Sequence, residues 1–372
     1  MKNSKIIVLT TIFMLFLSSM IFSTIAINEK TLIQSIVEGK DFTNITPYPI
    51  SLSEGLEIYP FFITYSNDIV WLLSGLYQTN WSDLERGVYL SDSLPYVTGF
   101  MGGYDADTLK VVSGAYFFNP YLTEEEFLRQ KDTSFDRNSD RYRSKTGYSE
   151  PSKALFIHRV ELILFEKLRL SLNELKLVGG KYPDLADANP FGIFHNTLGE
   201  GYSNSMLGVD FSLIPIKGWQ LYGQLAVDDF LVPETESGAE DYKPTALAWG
   251  LGTRFVKKFD KLYISPKFEY YKIYTWMYNQ WLPYLRYTAK YNSREIPIGF
   301  DYGNDMEGFL VGIDIFSNNV KYKFIIERYL KGEIDLETPY DDDRKKEREN
   351  WPGPYGNTTP FLTISFSFEI EI

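Results

Sequence analysis

The last eleven residues alternate with a period of two. The even positions from Leu362 to Ile372 are Leu362, Ile364, Phe366, Phe368, Ile370 and Ile372, and the odd positions are Thr363, Ser365, Ser367, Glu369 and Glu371. Side chains on a strand point alternately to opposite faces, so one face here is wholly apolar and the other wholly polar. A tilted strand of about 9–11 residues crosses a bilayer, and this segment has that length. A sandwich strand also alternates, but two glutamates on the inner face suit a wet lumen better than a dry core.

The same pattern recurs upstream. Val160, Leu162 and Leu164 oppose Arg159 and Glu161, while Leu168, Leu170 and Leu172 oppose Arg169, Ser171 and Asn173. Further alternating stretches cover 205–213, 219–228, 247–256 and 320–328. Short turns at Phe165-Glu166-Lys167, Pro215 to Gly218, Lys257 to Asp260 and Ser317-Asn318-Asn319 join these strands in pairs. Long connections at 179–204, 230–244, 276–307 and 332–359 separate the pairs. Short periplasmic turns alternating with long outer loops are the mark of a bacterial outer-membrane barrel. Segments 58–65, 69–79, 95–104 and 108–118, with short turns at Ser66-Asn67-Asp68 and Asp105-Ala106-Asp107, extend the series. They are apolar on both faces, as at Trp71, Leu72 and Leu73, so periodicity does not orient them. One more strand near 43–52, and a hairpin within 276–307, complete the expectation. The fold class is all-β: a transmembrane antiparallel barrel of about 14–18 strands, with both termini on the short-turn side.

Lys2 and Lys5, the apolar stretch Ile6 to Phe22 and the small-x-small site Thr24-Ile25-Ala26 read as a secretory signal peptide over 1–26. Residues 27–372 are then a single barrel domain. Loss of Lys2 and Lys5 takes the net charge from −12 to −14, which offers no footprint for nucleic acid. There is no cysteine, and with only His158 and His195 a three-histidine zinc site is impossible. The 28 Tyr, 27 Phe and 7 Trp are many for a soluble domain and suit aromatic girdles at two membrane interfaces. The expected partners are outer-membrane lipid and the barrel-insertion machinery, with no cofactor.

Three stretches carry a resemblance. The first is Ala154 to Leu162, with His158-Arg159, followed by Leu170-Ser171-Leu172-Asn173-Glu174. The second runs from Asn189-Pro190 through His195-Asn196, Asn204-Ser205 and Gly208-Val209-Asp210 to Tyr222–Phe230. The third is Ile296 to Asp305. Together, over about half the chain, they resemble the Wzi family of capsule-assembly outer-membrane proteins. The resemblance implies a non-catalytic barrel that binds surface polysaccharide. Residues 27–150 do not share it, so the family's helical plug is expected to be reduced or missing here.

The candidate ligand-contacting residues are Arg159, Glu161, Arg169, Asn173, Tyr222 and Asp228 on polar strand faces, with Trp276 and Trp281 in the aromatic run Tyr270 to Tyr291. Each has a plainer reading. The strand residues, with Gln220 and Gln224, also suit a charge ladder between neighbouring strands, and the aromatics suit an outer girdle. The mixed charges of Asp341 to Asn350 read as a solvated loop, with a divalent cation as the alternative. A barrel hydrolase would need a serine two residues from a histidine; His158 has Val160 there and His195 has Thr197. A polysaccharide organiser and a porin or solute channel are the two functions left. The mature protein should start near Ile27 and need detergent for extraction from the outer-membrane fraction. Recovery in the soluble periplasmic fraction, read by N-terminal sequencing and fractionation, would refute this.

Overall fold

The structure is a computed structural model that describes residues 29, 31–40, 55–58, 62–67, 69–77, 80–91, 93, 97–118, 122–137, 148–184, 187–189, 202–229, 245–280, 282–291, 294–317, 320–338 and 352–370. The strands are β1 (Gly55–Ile58), β2 (Phe62–Ser66), β3 (Val70–Tyr77), β4 (Val97–Ala106), β5 (Leu109–Phe118), β6 (Lys153–Leu164), β7 (Leu168–Gly179), β8 (Ser203–Ile216) and β9 (Trp219–Asp229). They continue as β10 (Ala246–Phe255), β11 (Lys257–Phe259), β12 (Leu262–Ile273), β13 (Thr288–Tyr291), β14 (Arg294–Pro297), β15 (Met306–Ser317), β16 (Val320–Lys331) and β17 (Thr359–Ile370). A helix α1 covers 31–38, and α2 covers Glu124–Arg137.

One antiparallel sheet forms the wall. Its strands follow chain order from β1 to β10, then β12, β15, β16 and β17, with the short β11 also on β12. Among the described residues no ladder joins β1 to β17, so the path is open there. The hairpin expected within 276–307 exists as β13 and β14, but it is a separate two-stranded sheet and not part of the wall. The strand expected near 43–52, the signal segment, His195, Trp281 and Asp341 to Asn350 lie outside the described residues.

Burial follows the period of two in the sense that a membrane demands. Val160, Leu162, Leu170, Leu172, Leu207 and Val209 are exposed, while Arg159, Glu161, Ser171, Asn173, Asp210 and Ser212 between them are buried. Apolar side chains outside and charges inside invert the arrangement of a water-soluble domain. On β17 the outward residues Leu362, Ile364, Phe366 and Phe368 are each more than 60% exposed. His158 also points outward, toward Glu174 across the β6–β7 ladder.

The inner faces of β3 to β5, and the ends of β6 and β7 toward the long loops, are largely apolar. Trp71, Leu73, Met101, Val112, Tyr116, Leu155, Ile157, Leu175 and Leu177 share one buried cluster with Trp81, Leu84, Val88, Tyr89 and Leu90. The β3–β4 connection is therefore drawn into the lumen, and its apolar side packs on an apolar wall. This explains why periodicity did not orient the early strands. At the short-turn end, Leu32, Ile33 and Ile36 of α1 pack on Ile163, Ile214, Val256 and Phe316, and the Gly218 amide donates to the Ile36 carbonyl at 2.7 Å. On the opposite side, α2 opens with a capping box: Thr123 Oγ1 accepts from the Glu126 amide at 3.2 Å, and Glu126 accepts from the Thr123 amide at 2.9 Å.

The outward belt predicts a contrast between neighbours on β17. Phe366→Arg should destabilise the folded barrel by about 2–4 kcal/mol, the cost of a cation on the lipid face, while Ser365→Arg should cost far less. Heat-modifiable mobility on a gel, after urea titration of the refolded protein, measures both. Equal losses would show that the inner and outer faces are misassigned.

Candidate functional site

The functional centre is the filled lumen. Two connections enter it from the long-loop end. One is 80–93, between β3 and β4. The other is 275–305, which the sequence pattern places outside the barrel and which the structure folds inward instead. The two are tied together along their length. The Ser91 amide donates to the Ile298 carbonyl at 3.0 Å, Ser91 Oγ to Gly299 at 2.6 Å and Ser93 Oγ to Pro297 at 2.6 Å. The Tyr278 hydroxyl donates to the Val88 carbonyl. The physical reason for the inward fold is the aromatic content of the second connection. Tyr278, Tyr287, Phe300 and Trp276 are almost fully buried, so they serve as core rather than as the outer girdle that composition suggests.

Arg159 anchors the β6–β8 side. Its guanidinium donates to Glu161 at 2.8 Å and to Asp210 at 2.7 and 3.1 Å, and to Asn173 Oδ1 at 3.0 Å. Asn173 Nδ2 returns a bond to Asp210 at 3.0 Å and another to the Tyr89 hydroxyl at 2.9 Å. Tyr89 itself donates to Asp210. The ring of Trp81 lies 5.6 Å from the Arg159 guanidinium. Arg169 pairs with Asp83 of the inward segment at 2.6 Å. Val88 donates its amide to Gln224 at 3.0 Å, and Gln224 donates to the Trp81 carbonyl at 3.1 Å.

The β12–β16 side holds the same segment through charge. Glu85 accepts from Lys267 and Lys323, each at 2.7 Å, and Lys267 also reaches Asp314 at 2.8 Å. Burial opposes the charge on Glu85, and the two lysines overcome it, holding its carboxyl well below the ordinary carboxylate range. Arg86 pairs with Asp301 at 2.6 Å and with Glu327 at 3.1 Å. Glu269 accepts from Tyr222 at 2.8 Å, from Tyr271, and from the Glu85 amide at 2.9 Å. Asp228 holds the second connection, accepting from the Tyr278 amide at 3.1 Å and from Asn204 at 2.9 Å.

The structure thus brings Arg159, Glu161, Arg169, Asn173, Tyr222 and Asp228 to the inner face, as their strand parity predicts. It also commits them to one another and to the inward segments. Trp276 is buried in the second connection. Sequence reasoning missed Trp81, Asp83, Glu85, Arg86 and Tyr89. The available signal was a loop that alternates large apolar with charged residues, a composition unlike a solvated connection. Among the described residues no cluster suited to a metal ion occurs.

No family model matches the chain, and no curated protein matches it. Solved structures do. The Escherichia coli protein Wzi, described as an outer-membrane protein involved in group 1 capsule assembly and a carbohydrate-binding β-barrel, superposes with a TM-score of 0.52 at 15% identity. The match covers 82% of this chain and 61% of Wzi, so the chain spans less than two thirds of that protein's length. Weaker likenesses include OccD3 (OpdP) of Pseudomonas aeruginosa, with a TM-score of 0.35 at 11% identity over 82% of this chain and 72% of that one. Another is the CymD monoaromatic hydrocarbon channel, with a TM-score of 0.33 at 8% identity over 83% of this chain and 81% of that one. The chain has the fold of an outer-membrane β-barrel.

Arg159→Met should cost about 3–5 kcal/mol, because it leaves two buried carboxylates without their cation. Adding Asp210→Asn and Glu161→Gln should recover at least half of that loss. Urea unfolding of the refolded barrel reads both. A single substitution with no measurable cost would mean that the network is hydrated and not structural.

Proposed function

We propose that this protein is a non-catalytic outer-membrane barrel that binds and organises surface polysaccharide at its long-loop face. The observation that carries the reading is the filled lumen. Segments 80–93 and 275–305 occupy the bore; charges of the first are paired with the wall at Arg169, Lys267 and Glu327, and its Tyr89 hydroxyl meets Arg159. A porin needs that space open. The likeness in fold to Wzi, a carbohydrate-binding barrel, supports the same reading. In this reading the residues first taken as ligand contacts, Arg159, Glu161, Arg169, Asn173, Tyr222 and Asp228, act by seating the inward segments. The glycan then meets the outer surface that those segments support, where Tyr182 and Tyr355 are exposed.

A second reading, a narrow solute channel, rests on one observation. Ser365 and Ser367 on the inner face of β17 remain exposed, while the filling meets that strand at Phe361, whose ring lies 5.1 Å from that of Tyr302.

A deletion strain separates the two. Under the polysaccharide reading, cells shed surface polysaccharide into the medium while uptake of small sugars stays normal, and the refolded protein gives no steady single-channel conductance. Arg159→Ala with Arg169→Ala should weaken attachment several-fold by loosening the seat. Normal attachment in the deletion strain, with reduced uptake, would replace this reading with the channel.

A further inference from the structure

The short-turn end carries an exposed surface that neither the wall nor the filling uses. Backbone hydrogen bonds stitch three hairpin turns and the end of α1 together there. The Ile214 amide donates to the Lys167 carbonyl at 2.9 Å, the Gly218 amide to the Ile36 carbonyl at 2.7 Å, and the Val256 amide to the Gly218 carbonyl at 2.8 Å. Two large apolar side chains stand bare on this frame. Phe165 is 87% exposed, more than any other large apolar side chain among the described residues, and Ile216 is 63% exposed. Phe165 and Glu166 both have positive φ, at 55° and 57°. A two-residue turn of that shape favours Asn-Gly, and a bulky residue adopts it at a cost. Phe165 is therefore held out in solvent by a backbone that does not suit it.

Charge on the same frame is one-sided. Lys40, Lys167, Lys217, Lys257, Lys258 and Lys261 are exposed there, against Glu38, Glu166 and Asp260. Lys257 and Lys258 lie over the rings of Phe259 and Tyr263, at 5.0 and 5.3 Å. The β2–β3 and β4–β5 turns at the same end expose Asn67 and Asp107 and, among the described residues, no lysine. The whole chain carries a net charge of −12, so this cationic patch runs against its overall sign. A collar of lipid-headgroup anchors would run round the whole rim, whereas the patch occupies one side. It also reaches α1, which packs on the inward residues Ile163, Ile214 and Val256. A Cβ added to Gly39 would meet the Lys217 side chain at 2.5 Å. The part of the patch at Lys40 and Lys217 thus adjoins the seal beneath the bore and not the bilayer.

We propose that this surface docks a periplasmic protein through a segment that combines acidic and apolar side chains. Short turns of such a barrel face the periplasm. Phe165 and Ile216 receive the apolar side chains, and the surrounding lysines receive the carboxylates. A bare aromatic anchor within a charged rim is the arrangement by which one protein holds another, with the rim charges steering the encounter. A hydrophilic cell-wall polymer would satisfy the lysines and leave Phe165 and Ile216 bare. The inference does not depend on the polysaccharide reading, since it concerns the opposite end of the barrel and holds whatever the outer face binds.

The test is photo-cross-linking in intact cells that produce the full chain. The photoreactive residue p-benzoylphenylalanine replaces Phe165, or replaces Asp107 as a control on the side without lysines. The probe at Phe165 should give one discrete adduct with another protein, and sequencing should place the cross-link in a stretch that is net negative and holds apolar residues. The probe at Asp107 should not give that adduct. Lys167→Glu with Lys217→Glu should reduce the adduct several-fold while heat-modifiable mobility still reports a folded barrel. Lys167→Gln with Lys217→Gln should reduce it less, and decides the matter if the reversed pair does not fold. A synthetic peptide of the cross-linked stretch should bind the purified chain in detergent, and more weakly as salt is raised. No adduct, an adduct only with lipid, with cell-wall fragments or with a second copy of this chain, or a protein adduct indifferent to the lysine substitutions would overturn the proposal.

Discussion

Arg159, buried between Glu161 and Asp210, is closed over by a phenol from a distant part of the chain, Tyr89. That contact states the constraint under which the whole interior is built. A lumen lined with charge is stable when water fills it, because each ion keeps its hydration. Once chain segments replace the water, every wall charge needs a partner on the filling. The filling meets that demand reciprocally. Glu85 serves two wall lysines, Arg86 serves a wall carboxylate, and Asp83 serves Arg169. Wall and filling are therefore one cooperative unit, and neither is a sensible structure alone.

The wall was legible in the sequence because the membrane enforces a period of two. Along β6, β7 and β17 the apolar positions are fixed by lipid and the polar ones by the lumen, so parity alone orients Arg159, Asn173 and Leu362. The filling was not legible for the same reason. Inside the barrel the environment of β3 to β5 is apolar, so Trp71 and Leu73 face inward while Leu72 faces lipid, and the alternation vanishes. Connection length also misled. A long loop on an outer-membrane barrel reads as a surface loop, and whether 275–305 folds out or in depends on tertiary aromatic packing, such as Tyr271, Phe300 and Tyr329 with centroids 5.1 to 6.2 Å apart. The candidate residues point to the inner face their parity predicts, and there they meet protein.

Close approach of filling to wall depends on notches. Gly250 and Gly252 alternate with outward Trp249 and Leu251 along β10. A Cβ on Gly250 would meet Leu84 at 2.7 Å, and one on Gly252 would lie within 2.4 Å of the Tyr222 ring. These two glycines weaken a strand by removing side-chain packing, and the ladders hold them on both sides, to Gln224 and Tyr222 on β9 and to Tyr271 and Glu269 on β12. Gly250 makes room for Leu84 of the filling, and Gly252 for the Tyr222 ring of the neighbouring wall strand.

The barrel is thus closed by two chemistries at two heights. At the short-turn end, α1 makes an apolar seal of Leu32, Ile33 and Ile36 against strand ends. Higher up, the filling is held by ion pairs and phenols. An apolar seal excludes ions without regard to sign, whereas a charged seat is specific to its partners. Specific seating fixes the height and rotation of 80–93, and that segment in turn fixes 275–305 through Ser91, Ser93 and Tyr278. The chain of support runs from wall charges through the first connection to the second, and from there to the outer surface. A rigid outer face needs such support, because loops that are not tied to a scaffold cannot present a fixed surface to a large ligand. A transport path would need the opposite, a filling that leaves easily. Paired charge along 83–89 ties that segment to the wall at Arg169, Lys267, Lys323 and Glu327, the support that the proposed polysaccharide reading requires.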